Sequence, residues 1–319
     1  MVERQQSVYL TLGEAREMIG RGVAVAKRLR QAGTIVVTDA GGNAVSISRM
    51  DDAPIGSLPV SRAKAYLAAI QGRPTAVFAN NAKERPEIYS AFQHILRRQP
   101  FPGPGGMPIF KNGRVVGGIA TGGGIGPYNE IPGVDRSEHT VDGVLANAED
   151  LVICTALGIP YASQHGERPL RSPREEMPVG ELPLGLEEAL HYADRAIAEA
   201  AKEGLRIGVA VVDELGRLIQ NDRMDGSPLI SCELAEAKAM TACKMQRPSG
   251  AVAEEFKAPS GRLQAIEKTA GFTLLGVGGG VPIVKGGRMV GAIGVSGSGA
   301  MRAGSEPVRD EDIAKAAIA

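Results

Sequence analysis

The sequence has no tryptophan, six tyrosines, six phenylalanines, four histidines and three cysteines. So few aromatics argue against a platform on which nucleobases stack. Lysine plus arginine equals aspartate plus glutamate at 36 each, so no net field draws the chain to nucleic acid or to an anionic membrane. Cys154, Cys232 and Cys243 are odd in number and form no Cys-x-x-Cys, which indicates neither a disulfide framework nor a structural zinc site. No apolar run approaches the roughly 20 residues of a membrane span, and the first residues, Met1-Val2-Glu3-Arg4-Gln5-Gln6, lack the basic-then-apolar order of a signal peptide. These absences lead to the expectation of a cytoplasmic protein without nucleic-acid or membrane partners.

What the sequence has in abundance is glycine, 42 residues, and much of it falls in a repeat. Gly105-Gly106-Met107-Pro108-Ile109-Phe110-Lys111-Asn112-Gly113-Arg114-Val115-Val116-Gly117 returns as Gly279-Gly280-Val281-Pro282-Ile283-Val284-Lys285-Gly286-Gly287-Arg288-Met289-Val290-Gly291. Each copy is two short apolar runs around a turn whose Asn-Gly or Gly-Gly tolerates positive φ, the pattern of a β-hairpin. The same offset, 282 minus 108 or 174 positions, relates Asp39 to Asp213, Met50 to Met224, Lys64 to Lys238 and Arg73 to Arg247. It holds without a gap from Leu12 to Gly123, which a chance match would not survive, so the chain is a duplicated domain. The limits read from the sequence are 8–165 for the first copy, 166–180 for a Pro-, Arg- and Glu-rich linker, and 181–319 for the second.

Helical periodicity predicts a first helix from Leu12 to Ala32, with its counterpart from Leu186 to Lys202. Gly20 and Gly22 weaken the first of these by roughly 1 kcal/mol each relative to alanine. Two apolar runs follow in each copy, ending at Asp39 and Asp213 and then at Arg49 and Arg223. Helices carrying Lys64 and Lys238 come next, with Ser57 and Ser231 expected as N-caps and Arg73-Pro74 and Arg247-Pro248 as terminators. A helix around Ile88 to Arg97 and a closing helix from Val141 to Leu157, with a shorter counterpart from Asp310 to Ala317, complete the pattern. Thr121-Gly122-Gly123-Gly124 and Ser296-Gly297-Ser298-Gly299 could cradle an anion, but neither has the spacing of a phosphate-binding loop.

The residues retained by the duplication are the candidates for chemistry. Lys64, Lys238, Asp39 and Asp213 are the catalytic candidates: a lysine among small residues can stabilise an anion from a partly desolvated position, or simply lay its stem along apolar surface. The two aspartates can act as acids or can accept turn N–H groups. Arg49 and Arg223 can clamp an anion or pair with a local aspartate. Gly105, Gly106, Gly279 and Gly280 admit a second backbone or a flat ligand where a Cβ would obstruct, and Phe101 enters the first hairpin where the second copy has Leu275. No ligand triad is spaced to assign a metal.

Taken together, both hairpins, Val212-Asp213, Arg223-Met224-Asp225, Ala237-Lys238-Ala239 and Gly278-Gly279-Gly280-Val281-Pro282-Ile283 resemble the GlcG/HbpS haem-binding-like family, which also supplies the C-terminal domain of PduO-type proteins. The second copy looks closer to that pattern; the first departs at Pro104-Gly105-Gly106-Met107 and Thr121-Gly122-Gly123. The resemblance implies an α+β fold of two tandem homologous domains, each an antiparallel sheet flanked by helices. It also implies a homo-oligomer and a small-molecule ligand, with haem the candidate cofactor and a corrinoid bound by some members. An axial haem ligand is then to be sought among His94, His139, His165 and His191. The competing reading is an enzyme, cofactor-poor or metal-assisted, acting on a small hydroxylated aromatic or organic acid through the lysine and an arginine anion clamp.

Overall fold

The computed structural model describes residues 9–29, 31–96, 98–101, 103–122, 140–141, 144–145, 147–164, 183–255, 266, 273–297 and 309–319. The chain divides into two compact units, Met1–Gly180 and Glu181–Ala319. Met1 to Gln6, Arg97, Gly123, Gly124, His139, His165, Ser298, Gly299 and the 166–180 stretch lie outside the described residues.

The first unit runs α1 (Leu12–Arg28), β1 (Thr34–Asp39), β2 (Ala44–Arg49), α2 (Ser57–Gln71), α3 (Thr75–Glu84), α4 (Pro86–Ile95), β3 (Gly106–Lys111) and β4 (Arg114–Gly122). A two-residue ladder, β5 (Thr140–Val141) with β6 (Val144–Leu145), then precedes α5 (Ala148–Leu157). Strands β3, β4, β1 and β2 form an antiparallel sheet in that order. The second unit repeats the plan with α6 (Leu186–Lys202), β7 (Gly208–Asp213), β8 (Leu218–Arg223), α7 (Ser231–Met245), α8 (Ser249–Glu255), β9 (Gly280–Lys285), β10 (Arg288–Ser296) and α9 (Asp310–Ile318). Its sheet order is β9, β10, β7, β8.

Each sheet is covered on one face by its lysine-bearing helix and on the other by its first and closing helices. The first of these contacts is unusually tight. A Cβ on Gly118 would stand 2.3 Å from the Ala65 carbonyl oxygen, and one on Gly294 would stand 2.0 Å from that of Ala235. Glycine in β4 and β10 is therefore what lets α2 and α7 lie with their backbones on the strands, and the helices answer with small buried residues such as Ser61, Ala65 and Ala68, or Ala235, Ala239 and Ala242. Gly106 and Gly280 play the same part in β3 and β9, where a Cβ would meet the carbonyl oxygens of Lys64 and Lys238. On the opposite face Gly22 of α1 lies against Ile35 and Val152, so its cost in helix propensity purchases contact with α5. Gly20 meets open space.

The hairpin turns are as read from the sequence: Asn112, Gly113, Gly286 and Gly287 all have positive φ. Several helix limits are not. Helix α2 begins at Ser57 behind an N-cap at Gly56, and α7 begins at Ser231 behind Ile230, so neither serine caps. Instead the Ser57 hydroxyl pairs with that of Thr34 at 2.6 Å, and the Ser231 oxygen accepts from Ser227 at 2.7 Å. The same helices stop at left-handed Gly72 and Gln246, ahead of the Arg-Pro pairs. Helix α1 ends at Arg28 and is capped by Leu29, with Gly33 beyond it.

Its N-terminus carries a capping box, Thr11 with Glu14, and Lys111 at the end of β3 donates to the same Glu14 at 2.6 Å. Burial alone would raise the Glu14 carboxyl, but the hydrogen bonds from Lys111 and Thr11 outweigh it and hold the group below its ordinary range. Lys285 and Glu188 repeat this strap in the second unit.

The glycine contacts separate two substitutions. Gly294→Ala should lower stability by about 1–3 kcal/mol, because helix backbone cannot move aside, whereas Gly20→Ala, in open space, should raise it by about 0.5–1 kcal/mol. Urea titration of both variants checks this.

Candidate functional site

The lysine helices were expected to present an ammonium to a ligand or to water. In both units the ammonium is turned inward. Lys64 passes the end of β4, where its Nζ donates to the Thr121 carbonyl at 3.3 Å and to Glu149 Oε2 at 3.0 Å. Lys238 donates to the Val295 carbonyl at 3.0 Å and to Asp310 Oδ2 at 2.7 Å. Thr121 and Val295 are 174 positions apart, like the lysines, so the two arrangements are copies of one site. The side chains of Lys64 and Glu149 are 5% and 9% exposed and those of Lys238 and Asp310 are 4% and 14%, so each pair is a buried ion pair. These partners occupy two of the three N–H donors of each ammonium.

Both carboxylates sit in the first turn of a closing helix, α5 or α9, where the helix dipole favours negative charge. An arginine holds the other end: Arg21 of α1 donates to the Ala156 carbonyl at 3.0 and 2.5 Å, and Arg195 of α6 donates to that of Ala316 at 2.8 Å. Each closing helix is thus pinned by a lysine at its N-terminus and an arginine near its C-terminus. Glu149 and Asp310 are the residues that sequence reasoning missed. The available signal was an acid in the first turn of the helix already identified, together with a lysine among small residues in need of a partner.

Gly105 and Gly279 have φ of 102° and 124° and lie beside the ammonium, where a Cβ would stand 3.0 Å from Lys64 Nζ and 3.1 Å from Lys238 Cδ. Behind them the Thr75 hydroxyl accepts from Gly106 N at 3.0 Å and the Ser249 hydroxyl from Gly280 N at 2.8 Å, fixing the glycine hairpin to the helix that follows the lysine helix. The copies differ above the ammonium. The ring of Phe101, 39% exposed, lies 5.6 Å from Lys64 Nζ in a cation–π contact, and the matching position in the second copy is Leu275.

The strand register decides which candidates meet. Arg49 pairs with Thr34 and Thr34 with Gly122, so Arg49 is at the same end of the sheet as the Lys64 ammonium. Arg223, Gly208 and Ser296 are related in the same way. Arg49 and Arg223 have further polar contacts of their own. Asp39 pairs with Gly117, five residues along β4 from Gly122, which places it roughly 17 Å away at the far end of the sheet. Its Oδ1 accepts from the backbone N–H of Gly41 and Asn43 at 2.9 and 3.0 Å. Asp213 likewise accepts from Leu215 N and Arg217 N at 3.0 and 2.9 Å, and pairs with the Arg217 guanidinium at 2.7 Å. Both aspartates accept turn N–H groups, the Asx-turn alternative of the two read from the sequence, and Asp39 stands at the opposite end of its sheet from Lys64.

His94 lies exposed on α4 and His191 exposed on α6. Helix α4 borders the Phe101 loop: the Tyr89 hydroxyl donates to the Pro100 carbonyl at 3.4 Å. No group of three or more His, Cys, Asp or Glu able to hold a metal occurs among the described residues. The three cysteines are buried and none is in a disulfide, and burial pushes the Cys154 and Cys243 thiols up, which leaves little thiolate to act as a nucleophile. Among the described residues no helix is long and apolar enough to cross a membrane.

The family described as haem-degrading protein HbpS-like matches residues 10–130 and again residues 184–319. The chain belongs to the HbpS-like family. Two HbpS-like regions agree with the tandem sheets and their paired lysine sites. An uncharacterized 15.0 kDa protein from the dhaT–dhaS intergenic region of Citrobacter freundii is 30% identical over 114 residues, 36% of this chain and 80% of that protein. Protein GlcG of Escherichia coli K12 is 35% identical over 98 residues, 31% of this chain and 69% of GlcG. A crystal structure of a PduOC:heme complex is similar at 27% identity, covering 42% of this HbpS-like chain and 92% of that one, with a TM-score of 0.36.

Two substitutions test the ion-pair site. Lys64→Met should cost about 3–5 kcal/mol by leaving Glu149 buried without its cation, and adding Glu149→Leu should restore most of it, as measured by urea titration. Thr121 is fully buried, and its hydroxyl has no hydrogen-bond partner among the described residues, while Val295 stands at the equivalent position. Thr121→Val should therefore stabilise the protein by about 1 kcal/mol in the same assay.

Proposed function

We propose that this protein binds a planar, anionic small molecule, with haem the leading ligand, on the first unit beside Phe101. The observation that carries the reading is the partly exposed Phe101 ring over the Lys64 ammonium, in a loop tied to the helix that bears His94. An aromatic face suits a flat macrocycle, and Arg49, at the same end of the sheet as the Lys64 ammonium, suits its carboxylates. His94 is the axial ligand in this reading, since neutral imidazole is a common ligand to haem iron and His94 is exposed on α4. When bound, haem would supply the redox and oxygen chemistry; the chain's residues would orient its edge and hold its propionates.

The family's description as haem-degrading supports haem over other flat anions. Both lysines already span a carboxylate and a carbonyl, far from Asp39 and Asp213, so the geometry supports binding rather than lysine-based acid–base turnover. The same reading keeps domain limits at 8–165 and 181–319 with 166–180 as linker, the cytoplasm as compartment, and self-association into a homo-oligomer.

Titration of the purified protein with hemin, followed at the Soret band, tests the proposal. A saturable shift at one hemin per chain that His94→Ala abolishes and Phe101→Ala weakens at least tenfold is expected. A shift no different from nonspecific adsorption, or one unchanged in His94→Ala, would overturn it.

A further inference from the structure

The two closing helices share their pins but not their footing. Helix α5 buries Val152, Ile153, Cys154 and two alanines, its Asn147 side chain caps the N–H groups of Glu149 and Asp150, and left-handed Gly158 closes it. The segment beyond ties back to it: Tyr161 Oη accepts from Asn147 N at 2.9 Å, and Gln164 N donates to Asp150 Oδ2 at 2.8 Å. Helix α9, nine residues long, buries Ile313, Ala314 and Ala317; Arg309 makes no side-chain cap bond, and its N-terminus is closed by Asp312, whose Oδ2 accepts from Arg309 N at 3.2 Å.

At ten and nine residues both closing helices are marginal in water and exist because they are docked, so what docks each decides its fate. With Ile313 its one fully buried large aliphatic side chain, and Ile318 half-buried, α9 relies on its polar pins for a greater share of its docking than α5 does. The stronger pin is Lys238 to Asp310, at 2.7 Å and largely desolvated. That carboxylate belongs to α9 itself, as does Glu311, which faces Gly250 and Gly278. Departure of α9 would remove both acids at once and leave Lys238 against the Val295 carbonyl.

We infer that α9 is a releasable lid on the second unit, latched by the Lys238–Asp310 ion pair, and that its release presents the Lys238 ammonium to solvent. Helix α5, with the equivalent pair, is a fixed element. The two copies of one site have thereby diverged into a closed form and one that opens.

Hydrogen–deuterium exchange on the full chain tests this without reference to any ligand. In Lys238→Met and in Asp310→Asn, amides of residues 313–318 should exchange at least tenfold faster than in the unmodified protein, while β7 and β10 stay unchanged. In Lys64→Met, any acceleration in α5 should be matched in β1 and β4, as for loss of global rather than local stability. The inference is overturned if α9 keeps its protection in both second-unit variants, if it opens only in step with β10, or if α5 is released locally in Lys64→Met.

Discussion

Backbone lying on backbone is the constraint from which the rest of each unit follows. Helices α2 and α7 rest on glycine-bearing strands at distances that exclude a Cβ, at Gly118 and Gly106 in one unit and Gly294 and Gly280 in the other. At that separation the carbonyls of Lys64 and Lys238 lie against the hairpin. A long side chain starting there runs past the strand end within the protein. The ammonium thus arrives desolvated and must be met by a carboxylate, because an unpaired buried charge is too costly to keep. The glycine repeat, the small residues of the helix, the lysine and the closing-helix acid form one linked arrangement.

This linkage explains what could be read from the sequence and what could not. The hairpins were legible because Asn112-Gly113 and Gly286-Gly287 state their turn type locally, and α6 was legible to the residue because its apolar stripe is regular. The duplication was legible because one offset carries from Leu12 to Gly123. The acid partner was not, because the second copy is shorter after its hairpin: Glu149 and Asp310 are 161 positions apart, off the register that identified everything else. Ser57 and Ser231 look like N-caps in isolation, yet tertiary contacts with Thr34 and Ser227 claim their hydroxyls. Asp39 and Lys64 share a repeat but not a location, since only strand pairing reveals that they stand at opposite ends of a sheet.

Duplication also provides an internal comparison of how one site tolerates change. Thr34 and Gly208 occupy the same position, and where threonine bonds to Ser57 the glycine lets the start of α7 come closer, with a Cβ there standing 2.5 Å from the Ser231 carbonyl carbon. Phe101 and Leu275 differ above the ammonium, and Thr121 and Val295 differ at the strand that accepts from it. The retained elements are the lysine, its carbonyl acceptor and a carboxylate. The elements that changed are those that control what surrounds the pair, which is where two copies of a domain acquire separate roles.

Pro108 and Pro282 lie in β3 and β9, the outer strands of the sheets. Proline interrupts the row of donors that an incoming strand would need, while Phe110 and Val284 on the same strands remain 55% and 58% exposed. These two edge strands therefore each expose an apolar side chain and are refractory to pairing through their backbone. Growth of either sheet, strand upon strand, into a cross-β array is thereby blocked at these edges.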